Sequence, residues 1–325
     1  MKIRNDSVHP PMTTKLFEGL EKFRVTRGFS ASEYIEAKVA LLEKYTTEYG
    51  LTASVLGVSG GIDSAVVLAL LARVKGLEVV PVLLPAFTHT GVTGQHSATE
   101  RGAELCRSFG LTPLTVEVEH PANVINDSIM KAFSEAGHDY LKSDWGTGQL
   151  VSYVRTPHLY YLTTVLTDNG KKAFISGTTN YSEGSYLGYI GKASDAMVDV
   201  QVISDLYKSE VYAVARELGV IDSILKVVPT GDMFDGTSDE DVFGASYDFV
   251  ELYVEYLGGD PWERKEFKDT LDEESTVYFN KFADKLDAMH RYNKHKYLAG
   301  SPAVHLDINS PETFEKFWKK TVWEG

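Results

Sequence analysis

The stretch VLGVSGGIDSAVVLAL, residues 55–70, constrains the fold of this chain more than any other. An apolar run with no polar face, ASVLGV at 53–58, has the pattern of a strand buried on both sides in a parallel sheet. It runs straight into Ser59-Gly60-Gly61-Ile62-Asp63-Ser64, and a helix opens within two residues. Consecutive glycines let a backbone approach an anion with no Cβ in the way, and the helix N-terminus adds partial positive charge. Ser59 and Ser64 add hydroxyl donors. Asp63 would repel a bare phosphate, so its presence points to magnesium between carboxylate and phosphate oxygens. A metal-bound nucleotide is the expected ligand.

The surrounding pattern repeats the alternation. A serine that can cap precedes a helix over 31–49, which Gly50 stops. LEVVPVLLP (77–85), LTVEVE (114–119) and KKAFISGTT (171–179) read as strands, with helical TGQHSATERGAELCRSFG, ANVINDSIMKAFSEAG and 149–168 between them. This βαβα order predicts an α/β fold: a doubly wound, mainly parallel sheet of at least four strands flanked by helices, with ligands at the strands' carboxyl ends. Beyond 220 the chain turns to acidic loops and helices with no linker. One domain over 1–325 is expected, with a helical lead-in (1–50), a nucleotide-binding core (51–220) and an acidic, helical C-terminal part (221–325). DPWERKEFKDTLDEESTVYFNKFADKLDAMHRYNKHK reads most simply as a solvated amphipathic helix pair.

Bulk properties remove other classes. The net charge is −14, which opposes a nucleic-acid backbone, and the basic residues form no cluster. No run approaches the ~20 apolar residues of a membrane span, so a cytoplasmic protein is expected. The single cysteine, Cys106, excludes internal disulfides and a cysteine zinc cluster, and its helical context makes it a core residue.

The loop is neither a Walker A sequence nor a dinucleotide GxGxxG. It resembles the SGGxDS loop of N-type ATP pyrophosphatases, which cleave ATP between its α and β phosphates and pass AMP to a substrate oxygen. The loop alone does not choose among them. The runs ISGTTNYSEGSYLGYIGKASDAMVDVQVISDLYKSEVYAVARELGV (175–220) and VPTGDMFDGTSDEDVFGASYD (228–248) resemble the NAD synthetase family, and the likeness spans roughly residues 30–300. That resemblance implies ATP-dependent amidation of deamido-NAD through an acyl-adenylate, yielding NAD, AMP and pyrophosphate, in a homodimer.

It also implies site roles. Asp63 and Glu183 would hold magnesium; Ser59, Gly60, Gly61, Ser64, Thr178, Lys208 and Thr230 would contact ATP. Lys208 opens a helix, an awkward place for a cation unless an anion joins it, and by resemblance that anion is the triphosphate. Lys192, Asp195 and Asp199 match the acceptor-recognition segment, and His295 and Lys296 a His-Lys pair that closes over substrate. Asp195 is a candidate for orienting or deprotonating the incoming ammonium. Each has a plainer alternative: Glu183 as a helix N-terminal glutamate, 192–199 as a polar loop, the threonines as loop residues, and His295-Lys296 as a solvated basic turn.

Two segments depart from the family pattern. Its N-x-x-A-R-x-R is Gln149-Leu150-Val151-Ser152-Tyr153-Val154-Arg155 here, so Tyr153 stands at the first arginine and Arg155 at the second. Ser194-Asp195-Ala196-Met197 replaces GDGG. A tyrosine can stack but supplies no charged fork, which puts the acceptor contacts in question. The remaining alternatives are a pyrophosphatase adenylating a different carboxylate or a tRNA base, and a nucleotide sensor without catalysis. Glutamine-dependent forms need a further domain with a nucleophilic cysteine. About fifty residues precede the first strand and Cys106 lies inside the core, so free ammonia or a separate partner is the expected nitrogen source.

Overall fold

The computed structural model describes residues 9–86, 93–141, 143–230, 238–297 and 303–308. Two helices lead in, α1 (Thr14–Arg27) and α2 (Ala31–Tyr49). Ser30 caps α2 by accepting the Glu33 N–H, and Gly50 ends it at φ 63°, a left-handed conformation suited to glycine. There follow β1 (Ala53–Gly57), α3 (Ile62–Leu71), β2 (Glu78–Leu83), α4 (Thr93–Ser108), β3 (Leu114–Thr115), α5 (Glu119–Glu135), α6 (Asp144–Asp168) and β4 (Ala173–Gly177). The second half holds α7 (Tyr181–Gly184), β5 (Val200–Gln201), α8 (Lys208–Glu217), α9 (Asp222–Leu225), α10 (Asp239–Phe243), α11 (Tyr247–Gly258), α12 (Pro261–Asp269) and α13 (Glu273–Asn293). A 3-10 turn (Lys294–Tyr297) and β6 (Val304–His305) complete it.

The sheet runs β3-β2-β1-β4-β5-β6, and every pairing is parallel. The chain works outward from β1 through β2 to β3, then crosses to the other side of β1 and continues outward from β4. The order therefore reverses between β1 and β4, and the crevice beyond their carboxyl ends is where such sheets bind ligands. The third strand, expected over 114–119, forms a regular ladder only at Leu114–Thr115, because the chain turns into α5 at Glu119. Val116 and Val118 still donate to the carbonyls of Leu83 and Pro85, at 2.9 and 3.0 Å.

Apolar cores hold the layers, one of them between the sheet and α6 around Val55, Val82, Val151 and Val154, and two larger ones. In the first of the larger two, α3 lies between the sheet, α2 and α8 with almost every side chain buried, including Val66, Leu68 and Leu70. Cys106 is buried in this core, and burial pushes its thiol up to about 11. The second joins Leu16 and Leu20 of α1 to Phe249 and Leu252 of α11 and Phe279, Phe282 and Leu286 of α13. The reading of 260–296 as a solvated pair is therefore half right: α12 buries no side chain, whereas α13 buries an aromatic stripe. That stripe needed α1, distant in sequence, to cover it. Arg24 of α1 fastens α11 through Asp248 and Glu251, at 2.8 and 2.7 Å. Among the described residues no helix is long and apolar enough to cross a membrane.

Candidate active site

The loop after β1 packs tightly. Gly60 has φ +79°, and a Cβ there would run into the backbone of Ala98 on α4. Two serines fold the loop onto itself: Ser64 Oγ donates to the Gly61 carbonyl at 3.1 Å and accepts the Ser59 N–H at 3.3 Å. Ser59 Oγ accepts the Gly61 N–H at 3.2 Å. On the α4 side, Arg101 Nε reaches the Gly60 carbonyl at 3.4 Å.

Asp63, in the first turn of α3, meets two residues from the far side of the switch point. Asn180 caps α7: its Oδ1 accepts the Glu183 N–H at 3.1 Å while its Nδ2 donates to Asp63 Oδ1 at 2.9 Å. Lys208, the first residue of α8, is 1% exposed, and its Nζ lies 2.6 Å from Asp63 Oδ2 and 2.9 Å from Glu183 Oε1. Both carboxylates thus converge on one buried cation. Burial works against the ammonium, but the charges of Asp63 and Glu183 outweigh it and hold the Lys208 pKa above the usual lysine range. Burial likewise opposes the Glu183 charge, and Lys208 with the Tyr247 hydroxyl outweighs it, leaving Glu183 below its ordinary value. The anion expected beside Lys208 from its place at a helix start is, in this state, the pair of carboxylates.

Behind this cluster, Tyr247 Oη lies 2.7 Å from Glu183 Oε1 and 3.0 Å from Asp239 Oδ2, and its ring sits 5.0 Å from Lys208 Nζ. A phenol carries one proton. Burial and the Glu183 charge push the Asp239 carboxyl up to about 7, so near neutrality Asp239 can itself donate to the phenol oxygen while the phenol donates to Glu183. Asn180, Tyr247, Asp239 and Arg101 escaped the sequence reading. Asn180 left a signal, the N-x-x-E spacing of a capping box ahead of Glu183; Asp239 and Tyr247 lie in the 228–248 run that resembles the family, with no role attached to either, and Arg101 left no signal.

An open cleft lies beside the cluster, at the carboxyl ends of β1, β2 and β4, lined by Ser59, Leu84, Arg155, Thr178, Ser194 and Asp195 among others. It brings together four residues expected from sequence: Ser59, Thr178, Arg155 and Asp195.

The NAD synthase family model matches residues 34–299. The chain belongs to the NAD synthase family. It is 29% identical over 241 residues to the NH(3)-dependent NAD(+) synthetase of Methanococcoides burtonii, covering 73% of this chain and 85% of that one. It is 32% identical over 222 residues to the protein of the same name from Thermoplasma volcanium, covering 67% and 83%. The fold is shared with the NMN synthetase of Francisella tularensis, at TM-score 0.66 and 23% identity over 82% of this chain and 96% of that one. The NH3-dependent NAD synthetase of Campylobacter jejuni gives TM-score 0.59 at 23% identity, with the same two coverages.

Of the residues matched to the family's acceptor pattern, Arg155 and Asp195 line the cleft, whereas Tyr153, Lys192, Asp199, His295 and Lys296 are not among its lining residues. Asp195 Oδ2 accepts the Gly191 N–H at 2.9 Å and the Ser194 hydroxyl at 3.2 Å, which fixes its side chain within the 191–195 turn. Arg155 Nε donates to the Leu84 carbonyl at 3.2 Å. Lys192 is exposed, and Asp199 turns its carboxylate onto the Ile175 N–H of β4 at 2.7 Å. Tyr153 is 42% exposed on α6, its hydroxyl on Gln149 at 3.0 Å. Thr230 pairs with Ser238 in an isolated bridge flanking 231–237, which lie outside the described residues. His295 is exposed, with Nδ1 2.9 Å from the Tyr292 carbonyl. Lys296 donates to the carbonyls of Gly188 and Ile190 at 3.1 and 2.7 Å. His290 Nδ1 and Asn293 Nδ2 meet the carbonyls of Tyr186 and Leu187 at 2.8 and 2.9 Å, so the end of α13 runs along the strand of chain that enters the acceptor segment.

Proposed function

We propose that this chain is an ammonia-dependent NAD synthetase. The observation that carries the reading is the meeting of Asp63, Glu183 and Lys208 beside the Ser59–Ser64 loop, at the point where the strand order reverses. Its relatives from Methanococcoides burtonii and Thermoplasma volcanium, whose lengths it spans by 85% and 83%, are NH(3)-dependent synthetases, which supports ammonia as the nitrogen source. The nicotinate carboxylate of deamido-NAD attacks the α-phosphorus of ATP, the bond to the β-phosphate breaks, and pyrophosphate leaves. Ammonia then attacks the acyl carbon, the bond to AMP breaks, and a proton leaves the nitrogen to give the amide.

The loop amides and the hydroxyls of Ser59 and Ser64 would cradle the triphosphate, with Thr178 at the cleft wall and Thr230 beyond it. Lys208 is placed to follow charge onto the departing pyrophosphate. Asp195, at the cleft, is suited to orient the ammonium and take its proton, and Arg155 to meet the acceptor; Lys192, Asp199, His295 and Lys296 form the wider acceptor rim in this reading. Magnesium fits the donor set, because two carboxylates already converge on a single cation. Asp63 and Glu183 would hold it, and when bound it supplies neutralisation of the phosphate oxygens. The protein would work in the cytoplasm.

The homodimer in this reading is supported by an apolar face. Ile125, Ile129 and Phe133 of α5, spaced by four residues, are exposed, as are Tyr160, Tyr161 and Val165 of α6, a helix that packs against α5. A second copy of the chain would cover it.

One observation favours a second acceptor. Tyr153 replaces the arginine of the family pattern, and losing a charged fork weakens the case for a long, doubly charged dinucleotide. Nicotinate mononucleotide is the natural rival, the deamidated counterpart of the product named for the Francisella protein. The assay is direct: purified protein with ATP, magnesium, ammonium and either acceptor. NAD, AMP and pyrophosphate should appear in equal amounts with deamido-NAD. Release of ADP would refute the adenylation reading, and turnover on the mononucleotide alone would replace the acceptor.

A further inference from the structure

We infer that Tyr247 is a positioning residue for Glu183, holding that carboxylate in place for the metal independently of Lys208. The inference rests on the metal assignment made above. In the free protein Glu183 Oε1 has two side-chain partners, Lys208 Nζ at 2.9 Å and Tyr247 Oη at 2.7 Å. The two are not equivalent during turnover. Lys208 must shift its charge toward the triphosphate to stabilise the leaving pyrophosphate, so its hold on Glu183 weakens when nucleotide enters. The Tyr247 hydroxyl has no such second task.

The phenol is also anchored on three sides. Its oxygen lies 3.0 Å from Asp239 Oδ2, its ring packs edge-on against Phe243 at 5.4 Å between centroids, and its backbone N–H donates to Glu240 Oε1 at 2.8 Å. The next residue, Asp248, is tied to Arg24 at 2.8 Å. A side chain that is 2% exposed and packed against α10, on a residue whose neighbour is tied to α1, moves little. Glu183, by contrast, stands on α7, a helix of four residues. A rigid partner behind a weakly supported ligand fixes the angle at which the ligand meets its metal.

The test measures metal, not turnover. Free Mn2+ is titrated by electron paramagnetic resonance against full-length protein with α,β-methylene ATP, which cannot be cleaved at the relevant bond. Tyr247→Phe keeps the ring, its packing and its contact with Lys208. It should weaken ATP-dependent Mn2+ binding about tenfold. The apparent magnesium constant should rise in step while the acceptor KM stays put, a split that general loosening would not give. Asp239→Asn controls for the fold: its amide can donate to the phenol oxygen, leaving the phenol proton for Glu183, so Mn2+ affinity should hold. Unchanged affinity in Tyr247→Phe, or an equal loss in both variants, overturns the assignment. Absence of ATP-dependent Mn2+ binding by the parent protein overturns the metal site and this role together. A wrong acceptor leaves the titration untouched, because no acceptor is present.

Discussion

Lys208 Nζ, itself buried, lies 2.6 Å from Oδ2 of the partly exposed Asp63, an ion pair formed across the switch point between the first turns of α3 and α8. Removing one member of such a pair leaves an uncompensated charge. Here Glu183 doubles the problem, because it leans on the same nitrogen at 2.9 Å. Lys208→Met should therefore lose stability in denaturant unfolding, by less than the ~3–5 kcal/mol of a fully buried pair, because Asp63 and Glu183 keep 21% and 16% exposure. The double variant Lys208→Met with Asp63→Asn should recover part of that loss. Neither should restore catalysis: release of AMP and pyrophosphate should fall by about 10²–10³ in both, since charge on the leaving group goes unmatched. Full recovery of turnover in the double variant would refute the role given to Lys208.

Gly60 carries two constraints at once. Its φ of +79° penalises any side chain, and α4 passes so close that a Cβ would meet the Ala98 backbone rather than a movable side chain. Gly60→Ala should cost about 1–3 kcal/mol, read as a drop in thermal midpoint. Because the loop must shift to accommodate the methyl, the ATP KM should rise while the acceptor KM changes little. Gly61, whose Cβ would meet only the Ser59 hydroxyl at 3.3 Å, should tolerate alanine better in stability.

The contrast between Asp63 and Tyr247 shows what the sequence made legible. Asp63 sits in a loop whose glycines, serines and following helix announce an anion site over six consecutive residues, and β1 and β4 were continuous apolar runs long enough to recognise. Glu183 took its role from the family resemblance, and Lys208, whose place at a helix start already called for an anion, took the identity of that anion from it. Tyr247 and Asp239 acquire meaning only when α10 and α11 fold back behind Glu183, a contact across more than fifty positions. The two-residue strands β5 and β6 are too short to show a period. The aromatic stripe of α13 was visible, but the partner that buries it, α1, was not.

Asp239 should make stability depend on pH. Its carboxyl, ordinarily near 3.8, is pushed up to about 7 in the folded chain by burial and by Glu183. The folded state therefore binds this proton more tightly than the unfolded state does. The stabilisation is complete below about pH 4 and is lost as pH rises through 7. Asp239→Asn cannot ionise, so its thermal midpoint relative to the parent should climb between pH 4 and 7 and level off above. A variant-minus-parent difference that is constant across this range, or that falls as pH rises from 4 to 7, would show that Asp239 is ionised throughout.

The exposed apolar stripe of α5 tests quaternary structure and acceptor binding together. Ile129 and Phe133 are 47% and 37% exposed, and lie four residues apart on one face. On the adjoining α6, Tyr153 is 42% exposed, outside the cleft walls that Arg155 and Asp195 help form. If a second chain covers this face, Tyr153 is placed where it can meet an acceptor that spans the interface. Ile129→Glu combined with Phe133→Glu puts two like charges into the contact, and sedimentation should then report a monomer with an unchanged thermal profile at low concentration. The ATP KM should stay near its parent value, because the loop, Asp63, Glu183 and Lys208 all lie within one chain. The acceptor KM should rise. Tyr153→Arg alone should lower the acceptor KM below the parent value, but not in the background of the two glutamates, because the restored fork would act only across the proposed interface. A dimer that persists in the double glutamate variant would mean that another face joins the subunits.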